Sequence, residues 1–132
     1  MKKKLFERLS RRERQIIEII YRIGEATVAQ VQEGLSDPPS YSSVRALLGI
    51  LVKKGFVKFE KRGKTYVYLP TVSREKARHS ALSNIVQTYF DGSVEGVVTT
   101  LIDISATELT DRELEKLEEI IRERRRKEGA HE

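Results

Sequence analysis

Apolar side chains recur at helical spacing through the first third of the chain. Ile16, Ile17, Ile19, Ile20 and Ile23 make one broad stripe, as expected of a helix with one side on a core. Ser10-Arg-Arg-Glu13 precedes the stripe as a capping box, and Gly24 follows it as a stop. Thr27-Val-Ala-Gln30 repeats the capping pattern and opens a short second helix, with Val28, Val31 and Leu35 as its inner side. Gly34 and Ser36-Asp-Pro-Pro39 end it, because proline cannot donate into a helical ladder.

The third stretch, from Ser40 to about Lys54, separates into two faces. Val44, Leu47, Leu48, Leu51 and Val52 fall at i, i+3, i+4, i+7 and i+8 and predict a buried side. Ser42, Arg45, Ala46, Gly49 and Lys53 form a second stripe that is small, hydroxylated and cationic, with no acidic residue. After Gly55 the period changes to two. Val57 to Lys61 and Thr65 to Leu69 read as strands around an Arg62-Gly63-Lys64 turn, with Pro70 as their end. Three helices followed by a basic-tipped hairpin predict a winged helix-turn-helix domain over residues 1–71.

Beyond residue 71 the pattern is purely helical. One helix is expected from Ser73 to Phe90, broken by Asp91-Gly92-Ser93. A short one carries Val94, Val97, Val98, Leu101 and Ile102, and Thr110-Asp-Arg-Glu113 caps a last one. The polar tail from Arg122 to Lys127 is expected to fray. Helices of roughly 18, 10 and 16 residues make a marginal core alone. Their apolar positions therefore predict a dimerisation domain over residues 72–132. Its expected interface is Leu82, Ile85, Val86, Tyr89, Phe90, Val97, Val98, Leu101, Leu114, Leu117, Ile120 and Ile121. The fold class is mainly α with a small β-hairpin.

Charge changes this picture by naming a partner. Residues 1–70 hold 15 Lys and Arg against 7 Asp and Glu, a net of +8; residues 71–132 hold 10 against 13, a net of −3. A basic half joined to a mildly acidic half points to a polyanion. A helix that enters a major groove needs an approachable face with hydrogen-bonding groups. The second stripe of the third helix has this character. Ser42 and Ser43 can bond to bases or phosphates, and Arg45 can grip a guanine edge. Ala46 and Gly49 permit close approach, and Lys53 is placed to meet phosphate. Lys61, Arg62 and Lys64 surround the wing tip, where they would touch the DNA backbone. Lys2 to Lys4 are a candidate basic arm. Tyr21, Tyr41, Tyr66, Tyr68 and Tyr89 are expected to be core or interface residues rather than base-stacking platforms, with an exposed Tyr41, at the start of the third helix, as the one exception.

Other chemistries find little support. With no cysteine, disulfide and thiolate metal sites are excluded. His79 and His131 have no metal-ligand spacing, and no glycine loop suits a phosphate. No cofactor and no enzymatic activity are expected. No apolar run reaches the length of a membrane span, and Glu7, Arg8 and Arg11 interrupt any signal-like start. A soluble cytoplasmic protein without membrane insertion is the expectation. The alternative functions are a winged-helix regulator whose C-terminal helices bind a small-molecule effector, and a protein-interaction module that does not use DNA.

Several stretches together resemble the BlaI/MecI/CopY family of penicillinase and methicillin-resistance repressors. They are Ser40-Tyr-Ser-Ser-Val-Arg-Ala-Leu-Leu-Gly-Ile-Leu-Val-Lys-Lys-Gly-Phe-Val-Lys, Gly63-Lys-Thr-Tyr-Val-Tyr-Leu-Pro, Tyr89-Phe-Asp-Gly-Ser-Val-Glu-Gly-Val-Val and Glu108-Leu-Thr-Asp-Arg-Glu-Leu-Glu-Lys-Leu. The resemblance runs from about Leu9 to about Ile121. It implies a homodimeric repressor on an inverted-repeat operator of resistance or stress genes. It also implies DNA contact at Ser42, Ser43 and Arg45, and release through cleavage driven by a membrane sensor-protease. The bond cleaved in such relatives is Asn-Phe; its counterpart here is Thr100-Leu101, and the segment before Glu108 is about two residues longer. The cysteine-rich tail of the copper-responsive branch is missing from this sequence.

Overall fold

The computed structural model describes residues 5–130. Lys2 to Lys4 and His131 lie outside the described residues. The elements run α1 (Arg11–Ile23), α2 (Val28–Gly34), α3 (Tyr41–Lys53), β1 (Val57–Arg62), β2 (Thr65–Pro70), α4 (Arg74–Phe90), α5 (Val94–Ile104) and α6 (Asp111–Ala130). The chain divides into two compact units, one ending at Asn84 and the other beginning at Ile85.

Local chemistry sets the helix starts of the first unit. The Ser10 hydroxyl accepts from the Glu13 N–H at 3.2 Å, and Glu13 Oε1 accepts from the Ser10 N–H at 3.2 Å. Thr27 and Gln30 exchange the same two bonds at 3.2 and 2.9 Å. Each box satisfies backbone donors that the first helical turn leaves free. Gly24 closes α1 at φ +99°, a conformation that L side chains rarely adopt. Gly34 serves packing instead: a Cβ there would lie 3.1 Å from the Ile19 side chain, so glycine lets α2 settle onto α1.

The core is the side that the helical spacing picks out. Ile16, Ile17, Ile19 and Ile20 of α1 meet Val28 and Val31 of α2, and Val44, Leu48 and Leu51 of α3. Leu47 and Val52 pack against this cluster while partly exposed. Truncating a fully buried side chain such as Leu48 to alanine would cost about 2–5 kcal/mol. Arg12 extends from α1 to the turn before α3, donating to the Ser36 and Asp37 carbonyls at 3.5 and 3.3 Å. Lys54, just past α3, returns to α1: its ammonium lies 2.8 Å from Glu13 Oε1 and 3.0 Å from the Arg8 carbonyl. These bonds tie the turn between α2 and α3, and the C-terminal end of α3, to the start of α1.

The hairpin is antiparallel, with Val57 opposite Pro70 and Arg62 opposite Thr65. That register leaves a two-residue turn, in which Gly63 takes φ +65°, the sign that tight hairpin turns require. Ala26 pairs with Tyr68 in a separate antiparallel bridge, through bonds of 2.9 and 2.7 Å. The segment before α2 thereby joins the edge of the hairpin. At its base, the Thr71 hydroxyl donates to the Gly55 carbonyl at 2.6 Å.

The first unit extends past the hairpin into α4. Tyr21 donates its hydroxyl to the Val72 carbonyl at 2.6 Å, Arg74 donates to the Tyr21 carbonyl, and the Leu5 N–H reaches the Ser80 hydroxyl at 3.2 Å. Ala77 is buried. The early turns of α4 therefore belong with the winged domain, and the division into units falls later than the change of pattern after residue 71.

The second unit holds the last turns of α4, then α5 and α6. Ser93 caps α5 through the Gly96 N–H at 3.0 Å, and Thr110 caps α6 through the Glu113 N–H at 3.2 Å. The expected fraying from Arg122 is not seen: α6 continues to Ala130. An Arg126–Glu123 pair, one turn apart, braces this polar stretch at 2.6 Å. Of the unit's described residues only Val97 is buried.

Candidate nucleic-acid interface

The predicted recognition face of α3 begins at its cap. Ser40 Oγ accepts from the Ser43 N–H at 3.2 Å, donates to Ser43 Oγ at 2.9 Å and lies 3.2 Å from Ser42 Oγ. Three hydroxyls are thus gathered at the N-terminus of the helix. Ser42, Ser43, Arg45, Ala46, Gly49 and Lys53 are all exposed. The structure therefore brings the whole predicted stripe onto one open face. No acidic side chain forms an ion pair with Arg45 or Lys53 among the described residues. At Gly49 an added Cβ would meet nothing within 4 Å. The fold itself does not require glycine there. Tyr41 is exposed beside this face, whereas Tyr68 is buried and Tyr21 and Tyr66 are half-buried.

The hairpin offers two chemically different faces, because successive strand residues point to opposite sides. Phe59 and Lys61 of β1 share a side with Tyr68 and Tyr66 of β2. Phe59 meets Tyr66 edge-on at 5.4 Å, and the Lys61 ammonium stands 6.0 Å from the Tyr66 ring centre. This side adjoins the start of α3. Burial pushes the Tyr68 hydroxyl above its ordinary pKa, and the nearby Arg45 guanidinium opposes that shift.

Lys58, Glu60 and Arg62 occupy the other side. Here Arg62 is engaged. Its Nη2 donates to Glu25 Oε1 at 3.1 Å and to Glu60 Oε2 at 2.8 Å, while Nη1 donates to Glu25 Oε2. The hydrogen bonds from Arg62 hold the Glu25 carboxyl below its usual range, and those to Glu25 and Glu60 raise the guanidinium above its own. Lys64, in the turn, is exposed and forms no ion pair among the described residues. The link from Arg62 to Glu25 joins residues far apart in sequence, and no local pattern announces it.

This surface, a cationic helix face beside a basic-tipped hairpin on a small three-helix core, also has a match in sequence. The family model described as penicillinase repressor matches residues 9–123. The chain belongs to the penicillinase repressor family. That family makes it a DNA-binding transcriptional repressor and not an enzyme, and its three helices and hairpin have the winged-helix arrangement. Solved relatives include the CopR repressor, 33% identical, covering 49% of this chain and 97% of that one at a TM-score of 0.43. The DNA-binding domain of the repressor BlaI is 26% identical over 56% of this chain and 90% of that one, with a TM-score of 0.46. An uncharacterized 16.5 kDa protein from the ptsI 3' region of Latilactobacillus sakei is 28% identical over 74% of this chain and 68% of its own length.

The remaining predicted positions of this repressor lie in and near its second unit. Leu82, Ile85, Tyr89, Val98, Leu101, Leu114, Leu117, Ile120 and Ile121 are exposed; Val86 and Phe90 are half-buried, and Val97 is buried. Thr100 and Leu101 lie inside α5, not in a loop. No grouping of three or more potential metal ligands occurs among the described residues. Among them, no helix is long and apolar enough to cross a membrane.

Proposed function

We propose that this repressor binds an inverted-repeat operator as a homodimer, with α3 of each copy in the major groove. Ser42, Ser43 and Arg45 would read or anchor the first bases. Ala46 and Gly49 would admit the helix backbone, and Lys53 would meet phosphate where the helix leaves the groove. Lys61 and Lys64 would lie on the backbone beside it. The observation that carries this reading is the open stripe on α3, which is cationic and free of acidic partners. An ordinary solvated helix face tends to alternate charges at i, i+4.

The dimer reading rests on the second unit. Tyr89, Leu101 and Ile120 are 78, 55 and 66% exposed. A second copy is the simplest cover for such a surface, since closed two-fold dimers are the commonest oligomers. Resistance or stress genes would be the targets and the cytoplasm the place of action. Release would follow loss of the dimer link near Thr100-Leu101, with a membrane sensor-protease as the partner that cuts there. Selection of duplexes from a random pool by the intact protein, followed by footprinting, tests the central claim. The expected outcome is a palindromic site whose half-site centres are a whole number of helical turns apart. A single unpaired half-site, or no enrichment, would overturn it.

A further inference from the structure

We infer that Arg62 is a positioning residue that latches the wing to Glu25, leaving Lys61 and Lys64 as the wing cations offered to DNA. The inference rests on the DNA-binding reading above and refines it at the wing. Three observations carry it. First, Arg62 has three hydrogen bonds to two carboxylates, two of them a fork onto Glu25. A guanidinium suits that bidentate geometry, and a lysine ammonium does not. Second, Glu25 is fixed where it is needed: its neighbour Ala26 is joined to β2 through both backbone bonds with Tyr68. The latch therefore closes the tip of the hairpin onto a segment already attached at its middle.

Third, strand alternation sends Arg62 and Lys61 to opposite faces. Lys61 stands over Tyr66, on the side that adjoins Arg45 and Tyr41. Arg62 lies on the other side, with Glu60 and Glu25. To reach phosphate it would have to abandon both carboxylates and leave them without their cation. A two-residue turn at the end of a two-stranded ribbon has little else to hold it. Fixing its direction before DNA arrives lowers the ordering cost of binding.

A charge swap separates this role from direct contact, because it keeps the net charge and the pair while moving the cation to position 25. The full-length protein and an operator duplex selected from a random pool would be used. R62E alone should lower affinity at least tenfold, and the double variant E25R/R62E should return to within about threefold of the parent. R62Q should weaken binding by about two- to fivefold per half-site, the scale of an exposed pair, with the salt slope unchanged. In the DNA-free protein, R62Q and E25Q should both speed amide hydrogen exchange at Gly63, Lys64 and Thr65. A double variant as weak as R62E, or a salt slope reduced by about 1 per half-site in R62Q, would make Arg62 a phosphate contact and overturn the inference. Unchanged exchange at the tip in both neutral variants would overturn it as well. Failure of the underlying reading looks different: Lys64→Ala would then leave the salt slope unchanged, whatever happens at the tip.

Discussion

Arg45 and Lys64 are both exposed cations, but their surroundings give them different work. Arg45 stands on the open face of α3 among hydroxyls and small residues, whereas Lys64 sits in a turn. Arg45→Ala should cost about 1–3 kcal/mol on the operator and relax base preference at one position per half-site. Lys64→Ala should weaken all sequences alike and lower the salt slope by about 1 per half-site. Binding isotherms on operator and scrambled duplexes at several salt concentrations separate the two. Glu13 is another kind of residue, a buried carboxylate bonded to Lys54 and to the Ser10 N–H. The Lys54 hydrogen bond holds its pKa below 4.5 despite burial. A lowered folded value means that its stabilisation is present above 4.5 and is lost as pH falls from there through the folded pKa. Urea midpoints should therefore favour the parent over Glu13→Gln at neutral pH, with the gap closing below about pH 4.5. A gap that widens in acid would mean that Lys54 does not hold the charged form.

Within α3, one helix carries both the core and the reading surface, and Gly49 shows where their demands diverge. A Cβ fits there without contact, and alanine is the better helix former by about 0.5–1 kcal/mol. Gly49→Ala should raise the stability of the winged domain by about that amount while weakening operator binding. Thermal melts and isotherms on one preparation would check both signs; unchanged affinity would mean that the backbone does not approach DNA at this position. Elements were the most legible scale of this sequence. Capping at Ser10, Thr27, Ser40 and Thr110 depends on residues three apart, so it can be read locally. The two faces of α3 follow from the helical period alone. The Ala26–Tyr68 bridge and the Arg62–Glu25 latch depend on how distant segments meet, and period carries no trace of them. Nor did it foretell that α6 continues beyond Ile121, because an all-polar helix is supported by neighbouring charges such as Glu123 and Arg126 rather than by an apolar stripe.

For the whole molecule, the two units differ in how complete they are alone. The first has a closed core of three helices and a hairpin. The second exposes most of its large apolar side chains. A fragment ending at Asn84 should sediment as a monomer, and the full chain as a dimer at micromolar concentration. A dimeric fragment would move the interface to the winged domain. Introducing a specific protease site after Thr100 and cutting should drop operator affinity toward that of the fragment, with base preference kept, because the second half-site contact is no longer intramolecular. Retained affinity after cutting would place release elsewhere.

The bare apolar surface of the second unit also has a consequence for dose. If it is covered only by another copy, folding of that unit is coupled to association, and its stability becomes a function of protein concentration. Tenfold dilution should lower the melting temperature of the second unit and leave that of the first unchanged. On the gene, occupancy below the dimer constant would then climb with the square of the number of chains. Growth and division, by diluting the protein, would lift repression abruptly rather than in proportion.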